Sequence, residues 1–390
     1  LIVDLPELSA AEQQRSEQLE SVLKERVRRQ SFLPFSAVMQ SLLYEPQLGY
    51  YVAGAEKFGE QGDFVTAPEV SPLFARCLAQ QCLPVLQELG EADLLELGAG
   101  SGKMAADLLL ELEVLSCLPR RYAILELSAE LQQRQRETLE QKAPHLLERV
   151  VWLQQWPQEF VGVLLANEVL DAMPVERFKV VAGEIEQLGL VLHEGQLHEA
   201  SRPAPIDLQQ AVRQIQHGFG LAKEEGFCSE VNLNLLGWFA ALSESLSRGA
   251  VLLIDYGYAR REFYQPERDT GTLSCFYRHC LHHDPYQRFG VQDVTASVDF
   301  TAVIEAADKA GFELEGYVTQ ANFLFNNHLD RLVERAVEGL ESVPLLKLSQ
   351  EVKKLTLPAE MGERFKVMGL SKGLKQHLQG FGHNDISRRL

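Results

Sequence analysis

The chain has 390 residues, 46% of them apolar and 24% charged, a size and balance that suit one large α/β domain with insertions or two domains around substantial cores. Its formal net charge of -18 argues against a general nucleic-acid binder, because most of the surface would repel a phosphate backbone, and makes a basic protein the more natural partner. No apolar run approaches the ~18 to 20 residues needed to span a bilayer, and six cysteines without the spacing of a disulfide scaffold suggest a reducing compartment.

The chain opens on Leu1 and not on methionine, which is compatible with removal of an upstream targeting segment. Residues 11–30 place Leu19, Val22, Leu23 and Val27 at helical spacing, and Pro34 opens a second helical stretch to Leu43. Residues 44–67 combine glycines with large aromatic groups, a composition expected of a binding lid rather than a linker. Residues 71–89 return to helical periodicity, with Ser71 as cap and Pro72 at the first helical position.

From Ala92 the pattern alternates: a strand to Leu97, a helix over 103–115, a strand over 122–127, a helix over 128–142, a strand around Val151 and another over 161–166. Such alternation predicts a parallel sheet with helices on both faces. Residues 178–200 read as an antiparallel meander added to that sheet, and 203–220 as an inserted helical excursion. A helix over 235–247 and a buried strand, Ala250-Val251-Leu252-Leu253-Ile254-Asp255, resume the core. Residues 258–297 hold too many glycines, histidines and aromatics for a regular element; 301–310 read as a helix, 313–324 as strands that could pair as a hairpin, and the last sixty residues as charged helices.

The glycine turn after the first core strand is the most informative feature: Leu94-Leu95-Glu96-Leu97-Gly98-Ala99-Gly100-Ser101-Gly102-Lys103. A phosphate-cradling loop of the form G-x-x-x-x-G-K-[ST] fails, because Leu97 stands five before Gly102 and Met104 follows the lysine. A dinucleotide fingerprint G-x-G-x-x-G fails as well, since counting from Gly98 or Gly100 puts Lys103 or Ala105 at the third glycine. The spacing E-x-G-x-G-x-G fits Glu96, Gly98, Gly100 and Gly102, and is the loop of methyltransferases that use S-adenosyl-L-methionine. Glu126, at the end of the next strand, is placed to accept from two ribose hydroxyls. The plainer alternative is that the glycines only make a tight strand-to-helix turn.

Two more strand ends carry polar groups: Asn167-Glu168-Val169-Leu170-Asp171-Ala172-Met173-Pro174 and Asp255-Tyr256-Gly257-Tyr258. Methyl transfer from a sulfonium is an in-line displacement, so an enzyme must align the acceptor's lone pair, and no metal is required. If the acceptor is a guanidinium, carboxylates must grip it by paired hydrogen bonds. Glu168 is the natural clamp, with Asp171 or Asp255 assisting; the plainer reading is that Glu168 and Asp171 cap the following turn. The run Cys275-Phe276-Tyr277-Arg278-His279-Cys280-Leu281-His282-His283-Asp284 matches no usual zinc spacing, so no metal is expected.

With these motifs in hand the chain resembles the MidA family, a branch of class I S-adenosyl-L-methionine-dependent methyltransferases, over roughly residues 30–385. The stretches that carry the resemblance are Pro34-Phe35-Ser36 through Leu48-Gly49-Tyr50-Tyr51, Gly62-Asp63-Phe64-Val65-Thr66-Ala67-Pro68-Glu69-Val70-Ser71, the glycine loop, the run from Ala166 through Val175, Ile254-Asp255-Tyr256-Gly257-Tyr258, and Gln292-Asp293-Val294-Thr295-Ala296-Ser297-Val298-Asp299-Phe300. The resemblance implies a class I methyltransferase (Rossmann-like) fold, a mostly parallel seven-stranded sheet with helices on both faces, plus an N-terminal helical region and insertions. It implies S-adenosyl-L-methionine as cofactor, with Asp63, Thr66 and Glu69 in a segment closing over it and Asn167, Glu168 and Asp171 facing the acceptor. Mitochondrial members of the family form symmetric dimethylarginine on a core subunit of respiratory complex I. Ala99 and Ala129 stand where many relatives have proline, and Phe289-Gly290 replaces a Pro-Gly.

The expectation is therefore a methyltransferase acting on an arginine side chain of a protein, with a small-molecule methyltransferase and a catalytically silent assembly factor as alternatives. The division expected is an N-terminal helical region and cofactor-covering loop over 1–90, a methyltransferase core over 91–325 with insertions at 178–220 and 258–297, and a C-terminal helical region over 326–390. A homodimer is expected, in the cytoplasm of a bacterium or, for a eukaryotic chain, in the mitochondrial matrix.

Overall fold

The structure is a computed structural model that describes residues 5–52, 66–339 and 341–390. The chain forms two compact units: one gathers Leu1–Phe64, Leu170–Leu235 and Tyr258–Ala302, and the other gathers Val65–Val169, Leu236–Gly257 and Val303–Leu390.

The second unit is a mixed, mostly parallel α/β sheet. Its strands are β1 (Asp93–Leu97), β2 (Tyr122–Leu125), β3 (Val150–Leu153), β4 (Phe160–Asn167), β5 (Leu246–Tyr258), β6 (Glu313–Thr319) and β7 (Phe365–Lys372), arranged in the order β3-β2-β1-β4-β5-β7-β6. Neighbours from β3 to β5 are parallel, whereas β7 runs antiparallel to both β5 and β6. Parallel strands are covered on both faces and so read as continuous apolar runs; every residue of β1 is buried, and β4 is buried from Gly162 to Ala166.

Helices α1 (Pro72–Leu89), α2 (Lys103–Val114) and α3 (Ala129–Lys142) belong to this unit. Ser71 caps α1, its hydroxyl accepting from the Leu73 amide at 3.4 Å, and Pro72 at the first position loses no hydrogen bond there. Phe74, Leu78 and Cys82 of α1 and Ala105, Leu108, Leu109 and Leu112 of α2 enter one core with Leu94, Ile124 and Leu165 of the sheet. Each fully buried leucine in it contributes on the order of 2 kcal/mol.

Four expectations need correction here. The meander is present as antiparallel strands Glu176–Val181, Glu184–His193 and Gln196–Pro203, but it pairs with Cys228–Val231 and Leu33–Pro34 in a separate sheet of the first unit. It does not need the main sheet, because helix Ile206–Phe219 covers it: Leu208, Val212 and Ile215 pack on Phe178, Val180 and Ile185. The last sixty residues are not all helical; Phe365–Lys372 is the central antiparallel strand of the main sheet, with Val367, Met368 and Leu370 fully buried. The expected hairpin within 313–324 is instead a strand that stops at Thr319, whose side chain accepts from the Asn322 amide at 3.3 Å and starts helix Gln320–Asn326.

Residues 258–297 also hold regular structure, a three-stranded antiparallel sheet of Ser274–Tyr277, Cys280–His282 and Asp293–Thr295. Arg278 and His279 both have positive φ, 46° and 63°, the backbone of a two-residue hairpin turn. The histidine- and cysteine-rich run is thus a hairpin, and among the described residues no group of three or more His, Cys, Asp or Glu is placed to hold a metal.

Candidate functional site

The order of the strands reverses between β1 and β4: the chain winds outward through β2 and β3, then returns to β4 and β5. Open α/β sheets bind ligands outside the carboxyl ends of their strands at such a point. The residues that follow β1 and end β4 are Gly98 and Asn167, and the register sets Leu97 opposite both Leu125 and Ala166.

The glycine turn is held by its own main chain. Gly98 donates to the Leu125 carbonyl at 3.2 Å and Gly102 to the Ala99 carbonyl at 2.8 Å. Gly102 has φ +80° and caps α2, and a Cβ there would lie 2.8 Å from Gln135 Cα, so only glycine lets α3 approach the turn. Gly98 and Gly100 also have positive φ, 62° and 52°. The Ser101 hydroxyl donates to Glu69, and Lys103 Nζ donates to the Glu69 carbonyl at 3.0 Å, which ties helix Ala67–Val70 to the loop. Burial lowers the pKa of the Lys103 ammonium. The Thr66 carbonyl accepts from the Glu69 amide at 3.0 Å and the Val70 amide at 3.1 Å; Asp63 lies outside the described residues.

Glu126 ends up beside this turn. Its Oε1 accepts from the Ser128 amide at 2.9 Å and its Oε2 from Gln135 Nε2 at 3.2 Å. Glu96 lies below, 2% exposed, accepting from the Tyr122 hydroxyl at 2.7 Å. Burial pushes the Glu96 carboxyl up to about 7, the Tyr122 hydrogen bond opposes this, and the Glu126 charge adds to it.

At the end of β4, Glu168 has φ 53°, in the left-handed region that costs a non-glycine residue about 1 to 2 kcal/mol. Its amide donates to the Ile254 carbonyl at 2.9 Å. Asn167 Nδ2 donates to Glu168 Oε1 at 3.1 Å, while Asn167 Oδ1 is a buried acceptor without a partner among the described residues. A carboxylate only accepts, so that bond also fixes which way the amide points. Asp255, 1% exposed and three residues before the end of β5, accepts from the Tyr256 amide at 2.9 Å.

Asp171 belongs to the first unit. It is 4% exposed, and its carbonyl accepts from the Ala296 amide at 3.0 Å. Tyr51 donates to Asp293 Oδ1 at 3.0 Å, and its hydroxyl is pushed well above its ordinary pKa by burial and then by the Asp293 and Asp171 charges.

The second unit therefore gathers Glu69, Glu96, Gly98, Gly100, Gly102, Glu126, Asn167 and Glu168, while Asp171 sits with a tyrosine and a second aspartate in the first. Sequence reasoning gave no role to Gln135, Ser101, Tyr51 or Asp293. Gln135 did leave a signal: it is the polar member of the i, i+4 stripe Leu131, Gln135, Leu139, where a solvated glutamine would be out of register.

These residues suit a nucleoside with an amino-acid tail. The glycines leave the main chain bare at the carboxyl end of β1, where an added Cβ on Gly98 would meet nothing nearer than 3.9 Å, and Glu126 offers a carboxylate for sugar hydroxyls. Residues 77–318 match the model of the family described as "Putative S-adenosyl-L-methionine-dependent methyltransferase". A Burkholderia thailandensis protein crystallised with S-adenosyl-homocysteine is 38% identical, covering 99% of this chain and 100% of that one, with a TM-score of 0.93. The Drosophila melanogaster protein named "Protein arginine methyltransferase NDUFAF7 homolog, mitochondrial" is 28% identical over 96% of this chain and 90% of its own length. The Homo sapiens protein arginine methyltransferase NDUFAF7, mitochondrial, is 28% identical over 88% of this chain and 80% of its own.

Proposed function

Because the chain belongs to the family of S-adenosyl-L-methionine-dependent methyltransferases, we propose that it transfers methyl groups to an arginine side chain of a protein, with Glu168 as the clamp for the guanidinium. When bound, S-adenosyl-L-methionine supplies an electrophilic methyl group on a sulfonium sulfur. Glu126 and the turn from Gly98 to Gly102 hold the nucleoside and its amino-acid tail.

The observation that carries the arginine reading is the Asn167–Glu168 pair. Two adjacent acceptors, one a carboxylate oriented by an amide and the other a buried carbonyl with no described partner, call for a ligand rich in N–H donors. A guanidinium has five, in a planar fork that a carboxylate can grip while one terminal nitrogen stays aimed at the methyl. The left-handed backbone at Glu168 is strain of the kind concentrated at functional sites. The names of the fly and human relatives support the same acceptor. A basic client also suits a chain with a net charge of -18.

The test incubates the protein and its Glu168→Gln variant with labelled S-adenosyl-L-methionine and lysate from a strain lacking the protein. The expected result is a labelled protein band that yields methylated arginine on hydrolysis. The variant should keep its affinity for S-adenosyl-homocysteine and lose roughly 100- to 1000-fold in turnover. Label in the small-molecule fraction would overturn the protein acceptor, and normal turnover by the variant would remove Glu168 from the clamp.

A further inference from the structure

Gln135 is fully buried in the middle of α3, beside the glycine turn, and the function proposed above gives it no task. Burying a primary amide is costly unless its hydrogen-bonding groups are met. Here they are met by three different parts of the site. Trp152 Nε1 donates to Gln135 Oε1 at 2.9 Å, and Gln135 Nε2 donates to the Gly100 carbonyl at 3.2 Å and to Glu126 Oε2 at 3.2 Å. An indole only donates and a carboxylate only accepts, so the amide has one orientation.

The placement is built into the fold. With no side chain at residue 102, the Gln135 turn of α3 comes close enough that a Cβ on Gly102 would be 2.8 Å from Gln135 Cα. The Ser128 amide at the start of α3 holds the other Glu126 oxygen at 2.9 Å. One helix thus grips the carboxylate from both sides, and through Gln135 ties it to the carbonyl of the loop's central glycine.

Resting on the cofactor reading above, we infer that Gln135 is a positioning residue for sugar recognition. It holds the Glu126 carboxylate at a set distance and angle from the glycine turn before the nucleoside arrives, so binding does not have to order it. Trp152 in turn holds Gln135, which extends the support from the end of β2 to β3.

Calorimetry with S-adenosyl-homocysteine and with its 2′,3′-dideoxyribose analogue tests this on the wild type, Gln135→Leu, Glu126→Ala and the double variant, with thermal melts to check folding. Gln135→Leu should bind S-adenosyl-homocysteine about tenfold more weakly, the effect of losing one hydrogen bond to a charged group. Its affinity for the analogue should stay within about twofold of wild type, and the substitution should add nothing in the Glu126→Ala background. If Gln135→Leu does not fold, Gln135→Met, closer in shape and without any donor, removes both donated bonds and should show the same selective loss. Equal weakening of both ligands, or additive losses in the double variant, would reduce Gln135 to a core residue. Absence of S-adenosyl-homocysteine binding by the wild type would instead sink the cofactor reading itself.

Discussion

The two units solve the problem of burying polypeptide in opposite ways. The second unit builds five parallel strands, β1 to β5, whose backbone groups pair along the sheet while helices such as α1 and α2 pack their apolar residues on it. The first unit assembles three distant stretches of chain into two small antiparallel sheets, each with its own apolar cluster: Leu19, Leu42 and Phe289 in one, Phe178, Leu208 and Phe227 in the other. Strand ends of a parallel sheet place loops side by side, and the turn after β1, the acid after β2 and the pair at the end of β4 become neighbours without further design. In the first unit, Asp171, Tyr51 and Asp293 meet only because segments up to 242 residues apart pair correctly.

The largest expected effect that sharpens this contrast comes from Gly102→Ala. A methyl group 2.8 Å from a helix Cα, on a backbone with φ +80°, should cost roughly 3 kcal/mol from overpacking and left-handed strain. Urea titration measures the stability loss, and a loss under about 1 kcal/mol would mean that α3 gives way freely and that the turn is not rigid.

A similar magnitude is expected from Glu96. Its carboxyl is raised to about 7 in the folded protein, from 4.5, so the unfolded chain gives up this proton first as pH rises. The contribution is fully present below about pH 4.5, declines as pH rises through about 7, and is gone above it, amounting to roughly 3 kcal/mol as an upper figure. Glu96→Gln should flatten that part of the stability profile between pH 5 and 8. An unchanged slope would place the buried titration elsewhere.

The smallest effect belongs to the first unit. Tyr51→Phe removes the bond to Asp293 and should cost about 1 to 2 kcal/mol in melting experiments, with S-adenosyl-homocysteine affinity unchanged. A fall in that affinity would show that the Tyr51–Asp293 bond does bear on cofactor binding.

Legibility followed the same division. The periodicity of residues 92–166 announced β1, β2, β4, α2 and α3, and the glycine spacing with Glu126 marked the carboxyl end of the sheet, because strand, turn and helix signals act within about 15 residues. The strand Phe-Lys-Val-Met-Gly-Leu-Ser-Lys gave no such sign: it alternates poorly, follows charged helices, and is recruited by partners at β5 and β6 far away in the chain. Alternation marks the meander as strands but not the sheet it joins, because it shows that one face is buried and not what buries it.

By itself, the order of residues determined the parallel α/β core, the glycine turn and the two acids at its strand ends, since those depend on short-range sterics and periodicity. Tertiary structure alone decided that the inward-facing Gln135 would meet Glu126 and Gly100, that Asn167 would orient Glu168, and that Asp171 would join Tyr51 and Asp293. Those outcomes turn on which helix face and which distant strand come within hydrogen-bonding reach, about 3 Å, and such closeness is set by packing across the fold rather than by neighbours along the chain.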